Sequence, residues 1–99
     1  MLNVEKYIRS PIVFEHEFDW GRLVVFGKAK LVGFNQCDLH DFLGNPDDFV
    51  SGDYSFVVET PEQLFLGVGR SAVFPLYFRV LPSGIAVSDS FGELAKLSD

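Results

Sequence analysis

The chain contains a single cysteine, Cys37, among its 99 residues, so it cannot form an internal disulfide. A lone thiol fits the reducing environment of the cytoplasm, where we expect this protein to reside. Linkers, internal repeats and low-complexity tracts are also lacking. Since 99 residues suffice for one core, the sequence predicts a single domain that spans residues 1–99.

Basic residues are scarce and scattered. Eight Lys and Arg stand against fourteen Asp and Glu, which gives a formal charge of −6 and a pI near 4.7. A nucleic-acid-binding face needs clustered positive charge, so this balance argues against a nucleic-acid partner. No apolar run approaches the roughly 20 residues of a membrane helix, and no secretory leader opens the chain. We therefore expect neither a nucleic-acid nor a membrane partner.

Apolar residues, by contrast, are abundant: they make up 47% of the chain, and eleven of them are Phe. This content excludes a disordered chain. The segments with a two-residue apolar period, which predicts strands, are 10–18, 22–34, 52–59, 63–69, 75–81 and 85–88. Short turns join most of them, as in an antiparallel meander. In segment 22–34 both faces are apolar at first and one face is polar later, which predicts a strand that leaves the core along its length.

Two short helices complete the predicted fold. One follows Asn35 as N-cap and covers 36–43, and the other follows Ser90, with Glu93 at the capping-box position. The order β-β-α-β-β-β-β-α is typical of an α+β fold, an antiparallel meander with the helices on one face. The residues predicted to share one core face with the two helices are Tyr54, Phe56, Leu64, Leu66, Leu76, Phe78, Ile85, Val87, Leu39, Phe42, Phe91 and Leu94.

Three short motifs follow one another in the second half of the chain. They are Gly52-Asp53-Tyr54, Arg70 five residues before Pro75-Leu76-Tyr77-Phe78, and the segment from Gly84 to Asp89. In this order they resemble the end of the glutamine-hydrolysing domain of asparagine-synthetase-type (class II) amidotransferases, which have an Ntn-hydrolase-like fold. The resemblance covers a little under half of the chain. It departs from the family at Gly69, where an acidic residue is usual, and at Ala72, where a glycine is usual.

The catalytic residues of that family have no counterparts here. Family members use an N-terminal cysteine, whereas this chain begins Met1-Leu2-Asn3. The Arg-His-Arg-Gly and Asn-Gly-Glu segments that hold the substrate and the oxyanion are missing, and Phe26-Gly27-Lys28 keeps only the glycine of the latter. The resemblance thus implies a degenerate or truncated domain with no catalytic residue and no cofactor, more consistent with a non-enzyme than with an enzyme.

Several other residues have a functional and a structural interpretation. Cys37 and His40 lie three residues apart on a predicted helix, but a metal site needs three or four ligands, so an ordinary half-buried thiol is favoured. His16 stands alone on an apolar strand face and is interpreted as structural. The aspartates at 38, 41, 47 and 48 lack the ligand spacing of a calcium loop and predict a solvated face.

Two residues are candidates for ligand or partner binding. Arg70 corresponds to a family arginine near a turn, although pairing with Asp53 or Asp89 is the favoured interpretation. Trp20 lies in a predicted turn, and its side chain either anchors a partner or covers the core.

Three hypotheses for function follow. The first is a non-catalytic amidotransferase-like module that binds or regulates a partner, such as a synthetase-type enzyme on a separate chain. The second is a self-assembling structural homo-oligomer, since half of a two-sheet domain leaves a sheet face to be covered by a second copy. The third is a small enzyme that uses Cys37 and His40, which requires an accessible, acidified thiol.

We predict that the purified protein does not hydrolyse glutamine, because the nucleophile and the substrate-holding segments are missing. Ammonia release from glutamine should equal that of buffer alone. A turnover that disappears in Cys37→Ala would contradict this prediction.

Overall fold

The alternating segments form seven strands in the computed structural model, which describes residues 3–32, 38–69 and 73–97. The strands are β1 (Val4–Tyr7), β2 (Ile12–Phe18), β3 (Gly21–Leu31), β4 (Val50–Glu59), β5 (Leu64–Val68), β6 (Tyr77–Leu81) and β7 (Gly84–Ser88). The helices are α1 (Leu39–Gly44) and α2 (Phe91–Ala95), and a 3₁₀ turn covers Pro46–Asp48. The predicted α+β class with two short helices is confirmed.

The strands form two sheets rather than one. A four-stranded antiparallel sheet has the order β2-β3-β4-β5, and a three-stranded sheet has the order β1-β7-β6. The predicted hairpins β2–β3, β4–β5 and β6–β7 are all present and antiparallel. The single meander is wrong, because β5 and β6 belong to different sheets. The sequence prediction also missed β1, which has only four residues and runs parallel to β7.

The β3–β4 pair is the centre of the molecule. Its ladder joins Arg22–Leu31 to Val50–Glu59 without a break. Residues Leu23–Gly27 and Tyr54–Val58 are buried on both sheet faces, whereas Lys28 is exposed. The prediction that the second strand leaves the core along its length is thereby confirmed.

One core lies between α1 and the outer face of the four-stranded sheet. Phe42 of α1 meets Phe56 of β4 edge to face, with ring centroids 4.9 Å apart. The Phe56 ring lies over Gly67, where an added Cβ would come within 2.1 Å of it. The buried members of this core are Leu23, Val25, Phe42, Val50, Tyr54, Phe56 and Val58.

A second core lies between the two sheets. Phe26, Val57 and Val87 are its fully buried members, and apolar side chains from β1, β5 and the segment before β6 pack around them. The Lys6 ammonium of β1 bonds the Glu59 carboxylate of β4 across this interlayer space. Packing and an ion pair therefore both hold the sheets together.

The predicted single core face is wrong. Tyr54 and Phe56 belong to the first core, whereas Leu64, Leu66, Leu76, Ile85 and Val87 belong to the second. The cause is register: Leu66 pairs with Val57 and therefore shares its face, not that of Phe56. Phe78 and Phe91 are not core residues, since 62% and 68% of their surfaces are exposed.

The helix starts are only partly as predicted. Asp38 caps α1 by accepting a hydrogen bond from the Asp41 amide at 2.8 Å. The predicted cap, Asn35, lies outside the described residues. Ser90 does precede α2, but its side chain makes no capping bond, and its amide donates to the Ser88 hydroxyl at 2.9 Å.

We expect Phe56→Ala to lower the free energy of unfolding by about 3–5 kcal/mol, as for other buried Phe truncations. Val73→Ala is the control, because it truncates an apolar side chain that is 56% exposed and lies outside the strands and helices, and it should change stability by less than about 0.5 kcal/mol. Urea denaturation followed by far-UV circular dichroism measures both. Equal losses would mean that the Phe56 ring is not a core residue.

Candidate functional site

Most of the candidate residues from the sequence have structural roles or lie outside the described part of the chain. Arg70 and Cys37 both lie outside it. Trp20 is half-buried at the edge of the first core and stacks on Phe18, with ring centroids 4.7 Å apart and planes 10° from parallel. This placement favours the interpretation of Trp20 as a cover for the core.

The histidines show no shared site. His16 is exposed on β2 and contacts the Phe18 ring edge to face at 4.7 Å, and His40 is exposed on α1. Within residues 3–32, 38–69 and 73–97, no three His, Cys, Asp or Glu side chains lie close enough together to hold a metal ion.

The acidic residues around α1 act locally. Asp38 is the helix cap, and Asp47 accepts a hydrogen bond from the hydroxyl of Tyr54 at 2.6 Å. That bond satisfies the polar end of a largely buried ring. These two contacts give Asp38 and Asp47 structural roles.

Asp89, the last residue of the Gly84–Asp89 motif, connects the end of β7 to the segment that follows β1. Its carboxylate accepts hydrogen bonds from the Arg9 amide at 2.9 Å, the Ser10 amide at 2.7 Å and the Ser10 hydroxyl. Burial alone would raise the pKa of Asp89, but these hydrogen bonds outweigh it and hold the pKa below its usual value. The carboxylate thus fixes the connection between β1 and β2 at the end of β7.

Strand β6 combines an open edge with exposed apolar side chains. It is an edge strand, because β7 is its only neighbour in the part of the chain that the structure describes. The Ile85 amide donates a hydrogen bond to the carbonyl oxygen of Asn3 at 2.9 Å, and Asn3 directly precedes β1. Ile85 and Val87 therefore face β1, and the β6–β7 bonds are made at the alternate residues Gly84, Ala86 and Ser88. It follows that Phe78 and Val80, opposite Val87 and Ile85, direct their N–H and C=O groups to the open edge.

The side chains along this edge are apolar and exposed. Phe78 and Val80 expose 62% and 70% of their surfaces, although register places them on the inward face with Val87 and Ile85. On the outward face, the exposed ring of Phe91 meets Tyr77 edge to face at 5.9 Å. We refer to Tyr77, Phe78, Val80 and Phe91 together as the β6–α2 surface.

Two grooves run along β6, one on each face. The outer groove, with a volume of about 600 Å³, lies between β6 and α2 and is lined by Leu76, Tyr77, Phe78, Arg79, Phe91, Leu94 and Ala95. The inner groove, of about 350 Å³, opens between the two sheets and is lined by Glu62, Gln63, Leu64, Phe65, Leu66, Phe78 and Ile85. An open strand edge between two largely apolar grooves is the arrangement used in β-strand addition, in which alternate side chains of the added strand enter pockets.

Arg79 is the one charged residue of β6. Its guanidinium donates to the carbonyl oxygens of Leu94 and Leu97, at 3.0 and 2.7 Å, at the C-terminal end of α2. The negative end of a helix dipole favours a cation there. Arg79 therefore holds α2 against β6.

Sequence reasoning missed this site because it assigned Phe78 and Phe91 to the core. One signal was present: Pro75 and Pro82 enclose the strand on both sides, and proline is common next to edge strands.

Comparisons with protein-family models, with curated proteins and with solved structures found no match to this chain. None of the helices in the described ranges is long and apolar enough to cross a membrane.

We predict that Asp89→Asn lowers the free energy of unfolding at pH 7 by roughly 1 kcal/mol, because an amide accepts these hydrogen bonds less strongly than a carboxylate. The pKa of Asp89 is lower in the folded than in the unfolded chain, so its contribution is complete above the unfolded pKa of 3.8 and is lost as pH falls through the folded pKa. Urea titrations from pH 7 to pH 2 should show the variant and the parent converging below pH ~4. A constant difference over that range would contradict the assignment.

Proposed function

We propose that this chain is a non-catalytic, self-associating binding module of the cytoplasm, and that the β6–α2 surface is where a second copy binds. The observation that carries the proposal is the open edge of β6, with exposed apolar side chains on both faces. Natural proteins usually protect such an edge with charges, a bulge or a covering element, because it invites pairing with another strand.

The charges at β6 do not oppose contact with a second copy. The chain carries −6 overall, which repels a copy at long range, but β6 itself carries only Arg79. Because Arg79 is occupied by the carbonyl groups of α2, no charge of the strand has to be stripped of its partners on contact.

The exposed apolar area supplies a large part of what a stable dimer interface needs. A whole aromatic side chain has an area of about 150–250 Å². With the exposed fractions of its four side chains, the β6–α2 surface therefore exposes roughly 400 Å² to solvent. Two copies together bring roughly 800 Å², and the strand backbones and the grooves extend this towards the ~1,200 Å² at the low end of stable interfaces.

The wider role in this proposal comes from the resemblance to class II amidotransferases. A module of that ancestry would bind or regulate a synthetase-type enzyme on a separate chain, as a dimer.

We predict a mass of two chains, each of 11.1 kDa, in sedimentation equilibrium at micromolar concentration. Phe78→Glu should convert the protein to a monomer, because it places a charge in the centre of the contact without disturbing a buried site. Ile12→Glu is the matched control: Ile12 is also an exposed apolar residue, at 47%, on the edge strand β2 of the other sheet. It should leave the dimer intact. A parent protein with the mass of one chain would overturn the proposal.

A further inference from the structure

We propose that two copies join their β6 strands antiparallel about a two-fold axis through Arg79, so that the three-stranded sheets merge into one six-stranded sheet. This inference rests on the proposed self-association and specifies its register. Phe78 of one copy lies opposite Val80 of the other, and Tyr77 lies opposite Leu81.

The register follows from the backbone groups at the open edge. Phe78 and Val80 direct their N–H and C=O groups outward, and the residues on either side of them direct theirs towards β7. Two copies centred on Arg79 place Phe78 against Val80 twice. The N–H and C=O groups of Phe78 and Val80, four in each copy, then all form hydrogen bonds with residues of the partner's β6.

The neighbouring registers are less favourable. A two-fold axis through Val80 would set Phe78 opposite Pro82, which has no N–H to donate. An axis through Phe78 would set Val80 opposite Leu76, which lies outside the strand. The axis through Arg79 therefore gives the most complete ladder.

The side chains support the same arrangement. An axis perpendicular to the sheet keeps inward side chains inward, so the partner's Phe78 and Val80 extend the apolar face beside the inner groove at Leu64 and Leu66. The partner's Tyr77 and Phe91 meet the outer groove in the same way. One contact thus covers all four exposed side chains of the β6–α2 surface.

The cost of this register is that the two Arg79 residues lie opposite each other. Like charges directly opposite each other usually destabilise a sheet. Here each guanidinium is held by Leu94 and Leu97 of its own copy, where the end of α2 partly compensates its charge.

Disulfide cross-linking tests the register directly. Phe78→Cys and Val80→Cys are made separately in a Cys37→Ser background, and both substitutions fall on exposed side chains. Directly opposed residues have Cα atoms about 5.5 Å apart, within disulfide range, whereas the two copies of either residue lie beyond the ~7 Å limit. Mild oxidation of an equal mixture should therefore give a cross-linked dimer of one Phe78→Cys and one Val80→Cys chain. Each variant alone should give little.

The controls separate the inference from the proposed function. Ile12→Cys in the same background should not cross-link with itself or with either variant. If the parent protein sediments as two chains and the mixture does not cross-link, the register is wrong while self-association stands. If Phe78→Cys alone cross-links efficiently, the axis through Arg79 is likewise wrong. A parent protein of one-chain mass overturns both proposals.

Discussion

The burial of β3 and β4 on both faces is the constraint on which the rest of the structure depends. Val57 and Phe56 are neighbours in the chain, yet they enter different cores on opposite sides of the same sheet. A strand of this kind needs two covers. Helix α1 and its following segment supply one, and the sheet β1-β7-β6 supplies the other. The places where those covers end are the places where apolar surface remains open.

The sequence predicted local structure well and layering poorly. The three hairpins follow from alternation and short turns, since these depend on neighbours in the chain. The division into two sheets depends on pairing between β1 and β7, which local patterns do not encode. Segment 64–66 reads as one apolar run, Leu64-Phe65-Leu66, so its pattern could not say which face met which core. The misassignment of Leu64 and Leu66 came from this run.

The candidate site was missed for a related physical reason. Phe78 has the alternation of a core residue, and its inward direction is correct. What the sequence could not show is that the four-stranded sheet stops before it covers β6, which leaves the residue exposed at 62%. The same holds for Phe91, whose helix was predicted but whose outward direction was not. By contrast, the position of the Trp20 ring depends on a local contact, since it stacks on Phe18, two residues away, and this contact decides between the two interpretations that the sequence left open.

The parallel pairing of β1 with β7 has a consequence for the order of folding. The Ser88 hydroxyl reaches the carbonyl of Tyr7, 81 positions earlier in the chain. Contacts of such long sequence separation form late, because closing a long loop costs more conformational entropy than closing a short one. During synthesis, the β2-β3-β4-β5 sheet can assemble first, while its inner face stays open. During synthesis, β1 can therefore pair only after β7 has emerged from the ribosome.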